Sequence, residues 1–397
     1  MSGRAEDLNG TPLPPTRAPC SLPARTVPAA AIILSALLLI AACGQPDHAA
    51  PAAAATPAVT TKEAPAATPD AQHAAQLAQG KELYTRICAV CHGENGEGYK
   101  ADAAPALNHP SYLGSVNDAL LRDAIANGRN GSTMSAWSKE RGGPLDAEGI
   151  DAVIAFMRSW YKGEKLKLDN RRGPGDPTHG NQLYLQHCAR CHGARGIEGP
   201  NARIGDPAFL ARAPIGFLRI AITEGRSGTP MEGFGQALGE QGVQDVIMFL
   251  RTLAATNAAP PPPPPVREQP LPLPRLPLNA KGKDPAGFVK HPGVTPLAVI
   301  ASELKRGKRM AFLDARAPSD YLREHIKGAA SVPYYDPAPY LDKLPKDTWL
   351  VAYCACPHAE SQTLAQKLLD AGFEKVTVLD EGIGSWKAKG HPVQSAK

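Results

Sequence analysis

The sequence predicts a multidomain protein: two small all-α units in tandem, then an α/β unit built on a parallel sheet. Three observations carry that prediction. Residues of the first unit recur in the second at nearly constant offsets. A proline-rich stretch, 257–289, follows the second unit. Beyond it, apolar runs of strand length alternate with helical periodicity, the pattern of parallel strands covered on both faces. The 397 residues leave room for about two to four domains.

The first 70 residues offer little that could form a core. The apolar run Ala31–Ile40 is too short for a comfortable membrane span and right for a signal h-region, with Arg17 and Arg25 ahead of it. It ends Ile40-Ala41-Ala42-Cys43, which resembles a bacterial lipobox. Residues 1–42 are therefore expected to be a lipoprotein signal peptide, and Cys43 to carry lipid after cleavage. Cys20 falls in the removed part and has no role. Residues 43–70 are Ala, Pro and Thr with few core formers, and read as an extended tether.

The first unit spans 71–163 and contains Cys88-Ala89-Val90-Cys91-His92. A Cys-x-x-Cys-His run reads as a c-type haem attachment site: two sulfurs spaced to bond two vinyl groups, and a histidine held under the iron. The second unit, 177–256, repeats it as Cys188-Ala189-Arg190-Cys191-His192. Around the motif, Gly80, Leu83, Tyr84, Gly93 and Gly96 match Gly180, Leu183, Tyr184, Gly193 and Gly196. Further on, Ala124, Ile125, Gly128, Arg129, Gly131 and Met134 match Ala221, Ile222, Gly225, Arg226, Gly228 and Met231. Val153, Ile154, Phe156 and Arg158 match Val246, Ile247, Phe249 and Arg251. Such self-similarity means one folded unit used twice. Zinc would want the Cys pairs within about 20 residues of each other.

Helices are expected over Ala71–Thr85 and Asp118–Asn127. Met157 and Met248 sit in apolar helices and read as core, the default for methionine. Met134 and Met231 lie instead in Gly-rich loops. Each unit resembles a class I cytochrome c domain over its whole length. The resemblance implies two covalently bound haem c groups, held by Cys88, Cys91 and His92 and by Cys188, Cys191 and His192. It also makes Met134 and Met231 the second iron ligands. A proline carbonyl orients the histidine in this family: Pro105 fits for His92, and Pro200 or Pro207 for His192. Trp137 packs on the haem edge or in the core. Thioether attachment is carried out outside the cytoplasm in bacteria, which agrees with export.

The stretch 257–289 holds six consecutive prolines, Pro260 to Pro265, and reads as a semi-rigid spacer of roughly 3.1 Å per residue. In the third domain, 290–397, a helix is expected from Thr295-Pro296 to Lys305, with Thr295 as cap. Strands are expected at Met310–Asp314, Ala329–Pro333, Thr348–Cys354 and Lys375–Leu379, and a helix at Ser361–Ala371. Asp314-Ala315-Arg316, Tyr321, His325-Ile326-Lys327-Gly328-Ala329, Tyr353-Cys354 and Gly382-Ile383-Gly384-Ser385-Trp386 resemble a rhodanese domain. The resemblance makes Cys354 the nucleophile that carries a sulfane sulfur as persulfide. The loop Cys354–Ser361 departs from the family's common form: it adds Cys356 and Pro357 and lacks an arginine for thiosulfate. Asp314 and Arg316 read as a structural ion pair, and His358 as a solvated loop residue.

The formal net charge of +5, with no basic stripe, excludes a nucleic-acid footprint. The expectation is a dihaem c-type electron carrier, lipid-anchored on the periplasmic side of a bacterial membrane and coupled to a sulfurtransferase domain. Its partners would be redox proteins or a respiratory complex, and a small sulfur compound, thiosulfate or a persulfide. The rivals are a pure carrier with a silent docking module, and an oxidoreductase with one open haem.

Overall fold

The computed structural model describes residues 68–395, apart from 100, 102–103, 130, 259–264, 267–268 and 356–357. The expected signal peptide, Cys43, nearly all of the tether, most of the six-proline run and Cys356 lie outside the described residues. No helix among the described residues is long and apolar enough to cross a membrane.

The first repeat runs α1 (Pro69–Ile87), α2 (Ala89–His92), α3 (Pro110–Ser115), α4 (Asp118–Asn127) and α5 (Ala147–Ser159). Thr68 caps α1, with Pro69 in its first turn; Asn117 and Asp146 cap α4 and α5. The second repeat runs α6 (Pro177–His187), α7 (Ala189–His192), α8 (Pro207–Arg212), α9 (Ile215–Glu224) and α10 (Gly235–Thr256).

The residues shared by the repeats have physical jobs. α1 crosses α5 so closely that a Cβ on Gly80 would overlap the Ala152 carbonyl; Gly180 meets the Asp245 carbonyl of α10 in the same way. Tyr84 and Tyr184 are fully buried, and their hydroxyls donate to Gly93 O (2.8 Å) and Gly193 O (3.0 Å), tying down the turn after each histidine. Arg158 donates to Leu113 O and Val116 O, and Arg251 to Leu210 O and Ala213 O. Each closes the end of the preceding short helix from outside.

The repeats pack on one another through those short helices, α3 on α9 and α4 on α8. Arg129 lies 5.2 Å from the ring centre of Phe209, and Arg226 lies 5.8 Å from that of Tyr112. Residues 129 and 226 are equivalent, as are 112 and 209, so the contact has pseudo-twofold symmetry.

The third domain carries a five-stranded parallel sheet in the order β1-β6-β5-β2-β4. Its strands are β1 (Val294–Thr295), β2 (Met310–Asp314), β4 (Ala330–Ser331), β5 (Trp349–Tyr353) and β6 (Val376–Leu379). The intervening elements are α11 (Leu297–Lys305), α12 (Pro318–Arg323), α13 (Ala359–Asp370) and α14 (Gly382–Ala388), with a small antiparallel pair β3 (His325–Ile326) and β7 (Val393–Gln394). Strand β2 is buried throughout, as its unbroken apolar run requires. One local expectation fails: Thr295 ends β1 rather than capping α11, because its hydroxyl is taken by Val289 N–H and Thr377 Oγ1.

The proline stretch does not hold this domain away from the helices. Tyr334 OH donates to Ile87 O (2.6 Å), Tyr335 OH to Gly142 O (3.2 Å), and Ser135 Oγ to Asp320 Oδ2 (2.5 Å). Trp137 stands edge-on to both tyrosine rings, at 6.3 and 5.7 Å. The sequence reading of a plain spacer missed this because tertiary contact between Trp137 and the tyrosines leaves no local periodicity.

Candidate haem and sulfur sites

Each haem motif forms one helical turn. Cys88 closes α1 by donating its N–H to Tyr84 O (2.7 Å) and at once caps α2, so both sulfurs and the histidine project from a single turn. Cys188 does the same between α6 and α7. Burial pushes the Cys88 thiol up to about 12; Cys188 is pushed up to about 11 by burial and by Cys191. Neither pair is joined as a disulfide.

His92 and His192 are buried, and desolvation lowers the pKa of each against the opposing pull of a carbonyl. That carbonyl is Pro105 O for His92 (Nδ1, 2.9 Å), as expected. For His192 it is Ala202 O (2.8 Å), which corrects the expectation of Pro200 or Pro207. Pinning Nδ1 leaves Nε2 as the donor atom and fixes the tautomer. Met134 and Met231 are partly buried in loops closed by Arg129 N–H to Met134 O (3.0 Å) and Arg226 N–H to Met231 O (2.7 Å). Met157 is core, 3% exposed, whereas Met248 is only partly buried and packs toward Gly175. Two free thiols, a histidine with one nitrogen open, and a partly buried methionine in the loop of each repeat are the side chains a covalently held haem would need.

Cys354 follows β5 directly and is fully buried. Its Sγ lies 3.4 Å from Ser361 Oγ in the first turn of α13. Glu360, in the same turn, is buried, and desolvation, Cys354 and Asp320 together raise its pKa well above the carboxylate range. Asp314 and Arg316 form the expected buried pair, with Arg316 Nε and Nη2 on the two carboxylate oxygens at 2.9 and 2.6 Å. His358 is not a free loop residue: it meets Asp380 Oδ1 at 3.0 Å. Sequence reasoning missed Glu360, Tyr334 and Tyr335. The one available signal for Glu360 was an acid in the helix turn that follows the cysteine loop.

Comparison with known proteins agrees with both halves. A family model described as "Cytochrome C oxidase, cbb3-type, subunit III" matches residues 75–157 and again 175–250, and one described as "Rhodanese-like domain" matches 298–389. The chain joins two cytochrome c domains to a rhodanese-like domain. Covalently bound haem c is what such cytochrome domains carry. The chain is 38% identical over 196 residues to the cbb3-type cytochrome c oxidase subunit CcoP of Azospirillum sp. (strain B510), covering 45% of this chain and 62% of that one. It is 29% identical over 163 residues to the subunit FixP of Bradyrhizobium diazoefficiens, covering 38% and 52%. It thus spans about half to three fifths of the length of these two relatives. Among solved structures, a crystal structure of the Alr3790 protein from Anabaena sp. is 33% identical, covering 26% of this chain and 92% of that one, with a TM-score of 0.24.

Proposed function

We propose that this protein is an exported dihaem electron carrier whose rhodanese-like domain is a sulfurtransferase coupled to the first haem domain. One haem c is held by Cys88, Cys91, His92 and Met134, the other by Cys188, Cys191, His192 and Met231. When bound, each supplies a one-electron couple; full His/Met ligation leaves no open iron position for a substrate. Export, with lipid on Cys43, puts it on the periplasmic side of a bacterial membrane. The naming of the relatives as oxidase subunits supports a respiratory complex as its redox partner.

Cys354 acts as the sulfur carrier. Its thiolate attacks the outer sulfur of a sulfane donor, a new S–S bond forms, and the donor's S–S bond breaks with the leaving group taking the electron pair. The observation that carries the coupling is the join itself: Tyr334 binds the backbone one residue before Cys88, and Asp320 binds the loop of Met134. The complete burial of Cys354 favours one rival, a docking module without turnover.

The test is sulfur loading of Cys354 in purified holoprotein, followed by mass spectrometry, beside Cys354→Ser. Loading that vanishes in the variant is the expected result. Absence of loading with thiosulfate and with a persulfide leaves the carrier and silent module.

A further inference from the structure

Cys354 stands at one edge of the parallel sheet. The strand register sets Asp314 beside Ser331 and beside Tyr353, so β2, β4 and β5 all end at that edge, and Cys354 is the residue after β5. Reacting groups of α/β sheets gather beyond the carboxyl ends of the strands. The rhodanese-like domain supplies the floor under the cysteine: Ser361 Oγ lies 3.4 Å from Sγ, and Ile383 N–H donates to Cys354 O at 3.0 Å.

Each segment that leaves those three strands meets the first cytochrome repeat. Beyond β2, Asp320 accepts from Ser135 Oγ (2.5 Å). Beyond β4, Tyr334 donates to Ile87 O and Tyr335 to Gly142 O. Beyond β5, α13 packs against α2, the haem turn. Lys367 Nζ of α13 donates to Tyr334 O (2.8 Å), which ties helix and tyrosine together. Burial, Glu360 of α13, and Cys88 and Cys91 of the haem turn raise the pKa of Tyr334 well above its usual value. The second repeat offers a comparison. Val90 and Arg190 are equivalent; Arg190 is exposed, whereas Val90 is partly buried and packs on the apolar core.

A thiol with no exposed surface reacts only when something opens, at a rate that follows the population of the open form. The sheet is continuously hydrogen-bonded. The join is a few hydrogen bonds and one aromatic cluster between two domains, and a contact of that kind opens before a sheet does.

We propose that the first cytochrome repeat is a lid on Cys354: docked, it closes the sulfur site, and sulfur loads only when the join opens. The proposal rests on the reading of Cys354 as a sulfur carrier and adds its regulation. In the opened form the Cys354 thiolate attacks the outer sulfur of cysteine persulfide. The new S–S bond forms as the old one breaks, the transferred sulfur keeps its proton, and cysteine leaves as thiolate with the bonding pair.

The experiment uses full-length holoprotein and reads two rates on the Cys354 peptide by mass spectrometry, with fragmentation to separate Cys354 from Cys356. One is alkylation by iodoacetamide; the other is sulfur addition from cysteine persulfide. Val90→Arg gives the first repeat the residue that the second carries, sets an unpaired cation in the join and raises both rates at least about tenfold. Tyr334→Phe keeps the ring, loses the bond to Ile87 O and raises both about fivefold. Amide exchange in β2 and β5 stays slow in both variants, which separates an opened join from an unfolded sheet.

Alkylation that neither variant accelerates overturns the proposal, because the rhodanese-like fold alone would then bury the thiol. So does a rise that comes only with fast exchange in the sheet, or an unmodified protein that is alkylated as fast as free cysteine. Faster alkylation in the variants with no sulfur loading from persulfide or thiosulfate overturns the reading of Cys354 as a carrier and leaves the lid.

Discussion

The two cytochrome repeats share a frame and differ in what covers it. Trp137 and Phe234 are equivalent: each donates its N–H back into the preceding helix, to Ile125 O (3.0 Å) and Ile222 O (2.8 Å). Trp137 is 6% exposed because Tyr334 and Tyr335 stand on it. Phe234 is only partly buried and meets His187 at 5.9 Å between ring centres. The haem turns are the same in both, so the asymmetry of the molecule arises in the methionine loops and not in the cysteine motifs. The two repeats keep the same haem turn, and the aromatic at this position is covered by the third domain in one of them and by a histidine of its own repeat in the other.

Truncating that aromatic breaks the comparison most strongly. Trp137→Ala costs about 3 kcal/mol and releases the rhodanese-like domain from the first repeat, while Phe234→Ala costs about 1 kcal/mol and leaves the domain in place. Urea unfolding with proteolysis of the join separates the two outcomes; equal costs would mean that the tyrosines do not hold the domains together.

A second test uses pH. Glu360 has its folded pKa raised above the unfolded value of 4.5, so the fold binds its proton more tightly than the open chain does. Its contribution is full below the unfolded pKa and is lost progressively as pH rises toward the folded value. Glu360→Gln removes that loss. The urea midpoint of the rhodanese-like domain then falls less between about pH 5 and about pH 8 than in the unmodified protein. The second repeat, distant from Glu360 in sequence and without this acid, shows no change. An identical slope in the variant would place the buried proton elsewhere.

The smallest difference is in capping. Asn117 caps α4 by accepting from Leu120 N–H at 2.8 Å, whereas Pro214 precedes the equivalent α9 with no side-chain cap. Asn117→Ala costs about 1 kcal/mol, and hydrogen exchange in the first turn of α4 then approaches that of α9. Exchange that stays slow would show that packing alone holds the turn.

The haem turns were legible in the sequence because their chemistry fixes both residue type and spacing. The shared glycines and tyrosines were legible as matches, although their reasons, a helix crossing without room for a Cβ and a hydroxyl on a turn carbonyl, needed coordinates. The Pro105 carbonyl was found and its counterpart was not, because the task falls to a backbone oxygen that any residue supplies. It stands 13 residues after His92 but 10 after His192. The contact between the first repeat and the third domain was invisible because its sides, such as Ser135 and Asp320, are nearly two hundred positions apart in the chain.

The reciprocal stacking of Arg129 on Phe209 and Arg226 on Tyr112 also bears on ancestry. A contact in which each side uses the same patch is the signature of a self-associating unit, where one substitution changes both halves at once. Fusing the halves into one polypeptide removes that constraint. Each patch then drifts alone, and a tryptophan can be fixed in one copy and a phenylalanine in the other. The third domain stands on Trp137 of the first repeat through Tyr334 and Tyr335, while the second repeat sets Phe234 against its own His187 at the same place.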